Sequence, residues 1–240
     1  EITAFNPDFA FFQEVDTNST RSFQVNQFKM LQESLAKMAS VHVSNFHSAY
    51  LFYPILDPHG VVNSGIATFS KYKIDKVIRK SLEITDAFPS KFFDLDRCFS
   101  ASYLKTNHDN YLVIVNVHLS AYDKGGVYRK KQLQQLNSFL EVEYQKGNYV
   151  VCGGDFNHDI ANSMYVFETK QEKPEWVYAL NNDDLNENFS FATNNNIPTC
   201  RSTDMPYEKN VNYTVVLDGF IVSKNVDVIM VENVDTNFEY

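Results

Sequence analysis

The sequence predicts a mixed α/β chain built on a two-sheet core with helices outside. Three observations carry that expectation. Short apolar runs of strand length outnumber stretches with helical periodicity. The strand-like runs often follow one another directly, unlike the regular alternation of a parallel barrel. No Pro/Gly linker divides the 240 residues, so they read as one domain over 1–240, with enough chain for one sizeable core. No internal repeat at solenoid periods is present.

The elements follow in order. "EITAFNPDFAFF" does not begin with Met and reads as a helix end running into a strand. It implies a trimmed chain, with room upstream for a lost anchor or signal. Pro7 disfavours helix at Asn6, so 9–12 is a strand after a turn. Phe28, Leu31, Leu35 and Met38 recur at helical spacing and give an amphipathic helix over 25–40, its aromatic stripe serving the core. Residues 50–53 and 65–69 read as strands around the turn-rich "DPHGVVNSG". A hairpin pairs 99–104 with 111–117 across "KTNHDN". Leu133, Leu136 and Leu140 share one face of a helix over 127–145, ended by Gly147. Strands follow at 149–152 and 215–222. The Asn-rich segment 181–196 reads as a long surface loop.

Composition narrows the function. Hydrophobic residues make up 44% and charged residues 21%, which is globular; the 20 Phe and 14 Tyr predict a ring-rich core. The net charge is −9 and the pI about 5.1, which argues against bulk nucleic-acid binding. The short basic clusters, Lys71 to Lys80 and Arg129 to Lys131, read as solvated faces. Cys98, Cys152 and Cys200 are too few and too scattered for a disulfide framework or a zinc site. No run is long enough to span a membrane as a helix, and no signal peptide is visible. The compartment stays open, an extracytoplasmic location being one expectation.

Several buried strands end on polar groups: Gln13 and Glu14, Asn116 and His118, Asp155 and Asn157. A further strand carries Asp218 in its middle. An ionised carboxylate is costly to bury without a metal, a partner charge or hydrogen bonds. Convergence on one site is therefore expected. Carboxylate oxygens suit Mg²⁺ or Mn²⁺, and a neighbouring His can serve as acid, base or phosphate donor. Asp155 and Asn157, one residue apart, point to the same side if the backbone is extended. An acid and an amide so placed can orient a water. Gly153 and Gly154 leave room for a close approach.

"FQEVD", "GIATFSKYKI", "VNVHLS", "GGDFN" and "LDGFIVS" occur in the order of the endonuclease/exonuclease/phosphatase superfamily, which the chain resembles over nearly its whole length. The resemblance implies a deoxyribonuclease-I-like four-layer sandwich, two packed mixed β-sheets flanked by helices. The texture of "HSAYLFYP", "FFDLDRCFS" and "HLSAYDKGG" is most similar to uncharacterised bacterial members. The resemblance further implies a Mg²⁺-dependent phosphoesterase, with Mn²⁺ as the alternative ion. Glu14 matches the metal ligand and His118 the His contacting the scissile phosphate. Asp155 and Asn157 match the pair that orients the nucleophile, and Asp218 the partner of a catalytic His. That His, in a Ser-Asp-His strand, is expected after Tyr240, and an Asn-bearing first strand before Glu1. A chain without them is expected to show little or no catalysis. Asn63 and Ser64 stand where a carboxylate partner of the His118 equivalent is often found, so that partner is unassigned.

Arg97 and Arg201 are candidates to hold substrate phosphate by paired hydrogen bonds. His158 and Asp159 read as structural. The expected partner is a phosphoester: a small molecule, a lipid head group or a nucleic acid. No obligate protein partner is expected, and the chain is read as a monomer. A nuclease and a non-catalytic binding or regulatory module on the same fold are the competing readings.

Overall fold

The structure, a computed structural model, describes residues 2–51, 58, 60–84, 96–121 and 127–238. After the short helix α1 (Ile2–Phe5), β1 (Phe9–Asp16) leads to α2 (Gln27–Ser34). Then come β2 (Ala39–Leu51), β3 (Gly60–Ser70) and the exposed strand β4 (Lys76–Ser81). The hairpin β5 (Cys98–Lys105) and β6 (Tyr111–His118) precedes α3 (Val127–Gln145) and β7 (Tyr149–Asp155). Short strands β8 (Phe189–Ala192), β9 (Cys200–Arg201) and β10 (Thr214–Val215) lead to β11 (Asp218–Ser223).

These form a three-stranded antiparallel sheet ordered β1-β3-β2 and a six-stranded sheet ordered β4-β5-β6-β7-β11-β8, with β9 and β10 as a separate ribbon. Among the described strands only β6 and β7 pair in parallel, because α3 carries the chain back between them. Leu133, Leu136 and Leu140 of α3 pack on the outer face of the larger sheet against Val113, Val115 and Val150. Each such Leu contributes about 2 kcal/mol by burial. Phe28, Leu31 and Leu35 from α2 and its end cover Ala67 and Phe69 of the smaller sheet. The order helix, sheet, sheet, helix is the expected four-layer sandwich.

Asn116 joins the sheets. It is fully buried on β6, and its Nδ2 donates to the Ala67 carbonyl at 2.9 Å and the Phe12 carbonyl at 3.3 Å, while its Oδ1 accepts from Gln13 Nε2 at 2.7 Å. A polar side chain is tolerated there because each of its groups is satisfied by the opposite sheet.

Some boundaries differ from the sequence reading. The helix read over 25–40 spans only Gln27–Ser34, with Asn26 Oδ1 accepting the Lys29 amide as its N-cap. The chain then turns into β2, a 13-residue strand that the sequence reading caught only at its end. Of the strand read over 50–53, residues 52 and 53 lie outside the described residues. The segment 181–196 is not all loop: Phe189–Ala192 pair with β11 as the edge of the larger sheet. The strand read over 215–222 is two, since Val215 pairs with Cys200 while Asp218 opens β11 against β7. Arg129 is not on a solvated face. It is 1% exposed, donating to the Ala121 and Trp176 carbonyls at 3.2 and 2.8 Å.

Candidate active site

Three adjacent strands of the larger sheet bring the main candidates together. His118 of β6 is in register with Asp155 of β7, and Asp155 is in register with Asp218 of β11. Neighbouring strands lie about 4.8 Å apart, so one rung carries an imidazole and two carboxylates. The His118 Nε2 stands 3.5 Å from Asp155 Oδ2. That is long for a hydrogen bond and suits two groups that close on a shared ligand. Asp155, unassigned by the sequence as the neighbour of His118, thus takes that place. Asn63 instead meets His47 Nδ1 at 2.5 Å, and Ser64 Oγ accepts from Arg21 at 3.4 Å.

The electrostatics follow from crowding. Burial first, then the Asp218 charge, push the Asp155 carboxyl up to about 8; Glu14 adds to the push, while the Asn157 amide and Arg97 oppose it. Burial raises Asp218 to about 6 against a hydrogen bond from Thr199. Burial holds the His118 imidazole well below its ordinary value, helped by the positive charges of Arg97 and Arg21. His118 is therefore neutral at pH 7, and Asp155 can take up a proton near neutral pH. No histidine among the described residues hydrogen-bonds Asp218, whose amide donates to Thr199 Oγ1 at 3.2 Å.

Asn157 departs from the expected geometry. The strand ends at Asp155, and the backbone enters the left-handed region at Asn157 with φ +50°. Asp155 Oδ1 accepts the Asn157 amide at 2.7 Å, and Asn157 Nδ2 donates to the Leu119 carbonyl at 2.7 Å. The two side chains are therefore not successive groups on one face of an extended strand. A turn closed by the Asp carboxylate sets them, and Asn157 lines a neighbouring cavity. The glycines also serve the protein itself. A Cβ on Gly154 would lie 2.0 Å from the Val117 carbonyl oxygen, and one on Gly153 would meet the Phe220 and Phe11 rings at 2.7 and 2.8 Å.

Glu14 sits in a β-bulge between Phe12 and Val15 with φ +54°, a conformation rare for a side chain of its size. Its carboxylate is 58% exposed and 3.6 Å from Arg21 Nη1. Arg97, 6% exposed, immediately precedes β5 and acts electrostatically on both His118 and Asp155. Arg201 lies apart from that rung, lining the cavity that Asn157 shares. The sequence reading missed Asp16 and Arg21. Arg21 makes two 2.9 Å hydrogen bonds to Asp16, which is 2% exposed. Only the "VD" after "QE" hinted at it. His158 and Asp159 are structural, as read: Asp159 is fully buried and accepts from the Ala161, Ser163 and Met164 amides.

Among the described residues, no three His, Cys, Asp or Glu side chains are gathered as a ready metal-holding group. The donor chemistry still fits a hard cation. Glu14, Asp155 and Asp218 offer only carboxylate oxygens, and Glu14 and Asp218 both repel the Asp155 charge, a repulsion that a divalent ion relieves. No described helix is long and apolar enough to cross a membrane.

The chain belongs to the Endonuclease/Exonuclease/phosphatase family, whose sequence profile matches residues 1–205. It is similar to the inositol phosphosphingolipids phospholipase C of Schizosaccharomyces pombe, at 23% identity over 235 aligned residues covering 85% of this chain and 55% of that protein. The chain thus spans about half the length of that curated relative. Two solved structures share the fold. One is the endonuclease/exonuclease/phosphatase from Beutenbergia cavernae DSM 12333, with TM-score 0.61 and 16% identity over 95% of this chain and 58% of that one. The other is D. rerio TDP2 complexed with single strand DNA product, with TM-score 0.58 and 13% identity over 95% of this chain and 76% of that one.

Proposed function

We propose that this chain carries the phosphate-handling core of a metal-dependent phosphoesterase. The observation that supports it most is the rung of His118, Asp155 and Asp218 at the end of the larger sheet, with His118 buried and the two carboxylates half-buried, in a chain of this family. A phosphoester enters with a phosphoryl oxygen near neutral His118. Asp155 takes a proton from a water as that water's oxygen bonds to phosphorus. The bond from phosphorus to the ester oxygen breaks on the opposite side, and the departing oxygen takes a proton from solvent. Asn157 holds the turn that keeps the Asp155 carboxylate aimed. Asp218 keeps Asp155 basic by its charge. A Mg²⁺ or Mn²⁺ ion, held by Glu14, would supply positive charge to the phosphoryl oxygens.

The net charge of −9 favours small phosphoesters or lipid head groups over bulk DNA. The S. pombe relative is named for a phosphosphingolipid, in line with that ranking. The D. rerio structure, named for its single strand DNA product, supports the nuclease as second reading. The test is hydrolysis of bis-p-nitrophenyl phosphate by the full-length protein. Turnover should require added Mg²⁺ or Mn²⁺, cease with chelator and fall at least about 10²-fold in Asp155→Ala. An Asp155→Ala variant as active as the parent would sink the proposal. DNA cleavage that Asp155→Ala abolishes would promote the nuclease.

A further inference from the structure

Beside the His118–Asp155–Asp218 rung lies a second cavity, of about 560 Å³, that the chemistry above does not use. Asn157 is the residue that the cavity shares with the candidate site. Gln171, Trp176, Arg201, Asp204 and Tyr213 line it further out. The polar wall is fixed rather than loose. Gln171 Oε1 accepts the Tyr213 amide at 2.6 Å and also the Ser202 hydroxyl, while its Nε2 donates to both Asp204 oxygens at 3.0 Å. Those bonds hold the Asp204 carboxyl below its ordinary range, so it is ionised at neutral pH. The Arg201 guanidinium donates to the Ser202 carbonyl at 3.0 Å and stands 5.9 Å from the Tyr207 ring. Buried Arg129 fixes the Trp176 carbonyl at 2.8 Å.

Among the described residues, the charged groups on this wall are one guanidinium, Arg201, and two carboxylates, Asp204 and Glu172. A nucleic-acid strand would bring a second phosphate against the carboxylates, at a cost. A free phosphate would satisfy Arg201 and leave Asp204 and Trp176 without a ligand group. A ligand anionic at one end and cationic at the other matches the whole wall, since an aromatic face attracts an ammonium group and the same cavity carries the Asp204 carboxylate.

We propose that this cavity is a head-group subsite for a zwitterionic phosphoester. Its phosphate lies toward Asn157 and Arg201, and its ammonium group toward Trp176 and Asp204. The orientation of the phosphate rests on the phosphoesterase reading above. Gln171 is a positioning residue that holds Asp204 in place.

Trp176 is the single tryptophan of the chain, so tryptophan fluorescence reports on this cavity alone. The experiment titrates the full chain with phosphocholine, inorganic phosphate, choline and inositol 1-phosphate. Phosphocholine should give a saturable change and bind at least about ten-fold tighter than the other three. Asp204→Asn keeps an oxygen for Gln171, so the wall stays intact. It should weaken phosphocholine about five-fold, the worth of one exposed charge contact, and leave inorganic phosphate unchanged. The absence of any Trp176 response, equal affinity for inorganic phosphate, or tighter binding of inositol 1-phosphate would each overturn the subsite.

Vesicles identify the source of the ligand. Binding to phosphatidylcholine vesicles as well as to phosphocholine assigns a lipid, and binding to phosphocholine alone assigns a soluble ester. Both uphold the subsite, whereas equal binding to phosphatidylglycerol vesicles overturns it. The readout is equilibrium binding, so its failure is distinguishable from a failure of hydrolysis in Asp155→Ala.

Discussion

Replacing Gly154 by Ala tests how the candidate site is held. Gly154 has φ +148°, a backbone region that residues with a Cβ scarcely enter, and the new Cβ would lie 2.0 Å from the Val117 carbonyl oxygen. Val117 and Gly154 face each other across the parallel β6–β7 pair, one rung before His118 and Asp155. The clash is with backbone and cannot be relieved by a rotamer change. Strain of this kind costs about 1–3 kcal/mol, and forcing the strands apart costs a further 1–3 kcal/mol or so. The sum, about 2–6 kcal/mol, is a large share of the roughly 5–15 kcal/mol that holds a domain together.

Gly147→Ala is the matched control. Its φ is +82°, but nothing lies within 4 Å of the added Cβ, so only backbone strain of about 1–2 kcal/mol applies. Urea unfolding followed by circular dichroism would give both values from the shift in midpoint at constant slope. The expected result is a loss for Gly154→Ala that exceeds that for Gly147→Ala by at least about 1 kcal/mol. Equal losses would refute the claim that close strand approach is what requires Gly154.

Two more predictions concern charge. The Asp16 carboxyl resists burial, but its hydrogen bonds and ion pair with Arg21 outweigh that cost and hold it below the ordinary value of 3.8. Its contribution is present above the unfolded value and is lost as pH falls through the folded one. Asp16→Asn should therefore cost about 2–3 kcal/mol at pH 7 and remove part of the acid limb of a stability–pH curve. An unchanged acid limb would count against the pairing. Asp155 and Asp218 act with the opposite sign. Both bind protons more tightly when folded, so the chain should lose stability as pH rises from about 4 toward about 8. Asp218→Asn removes one of the two charges. Thermal melts in chelator should show a smaller loss between pH 5 and 8.5 than in the parent, by about 1 kcal/mol or more, the worth of one pK unit. Identical slopes would show that the carboxylates do not repel each other.

Much of the fold was legible because burial has a period. Leu133, Leu136 and Leu140 recur at helical spacing, and α3 matches the reading of 127–145. The hairpin around "KTNHDN" follows from two apolar runs and a polar turn. Elements with a weaker period were missed. The exposed strand β4 has no buried face, and β8 has only four residues inside an Asn-rich segment. Their pairing with β5 and β11 decides them, and pairing is not a local property.

The candidate site divides along the same line. Polar groups beside apolar runs, together with five motifs in the order of the family, singled out Glu14, His118, Asp155, Asn157 and Asp218. Sequence could not say which of them face each other. That was decided by register, β6 with β7 and β7 with β11, which stacks His118, Asp155 and Asp218 on one rung. The physical reason is range. Hydrophobic period and turn chemistry act over a few residues and are written in the chain. Strand register and the repulsion between half-buried charges act between residues far apart in the chain, 37 positions for His118 and Asp155 and 63 for Asp155 and Asp218, and exist only once the sheets have formed.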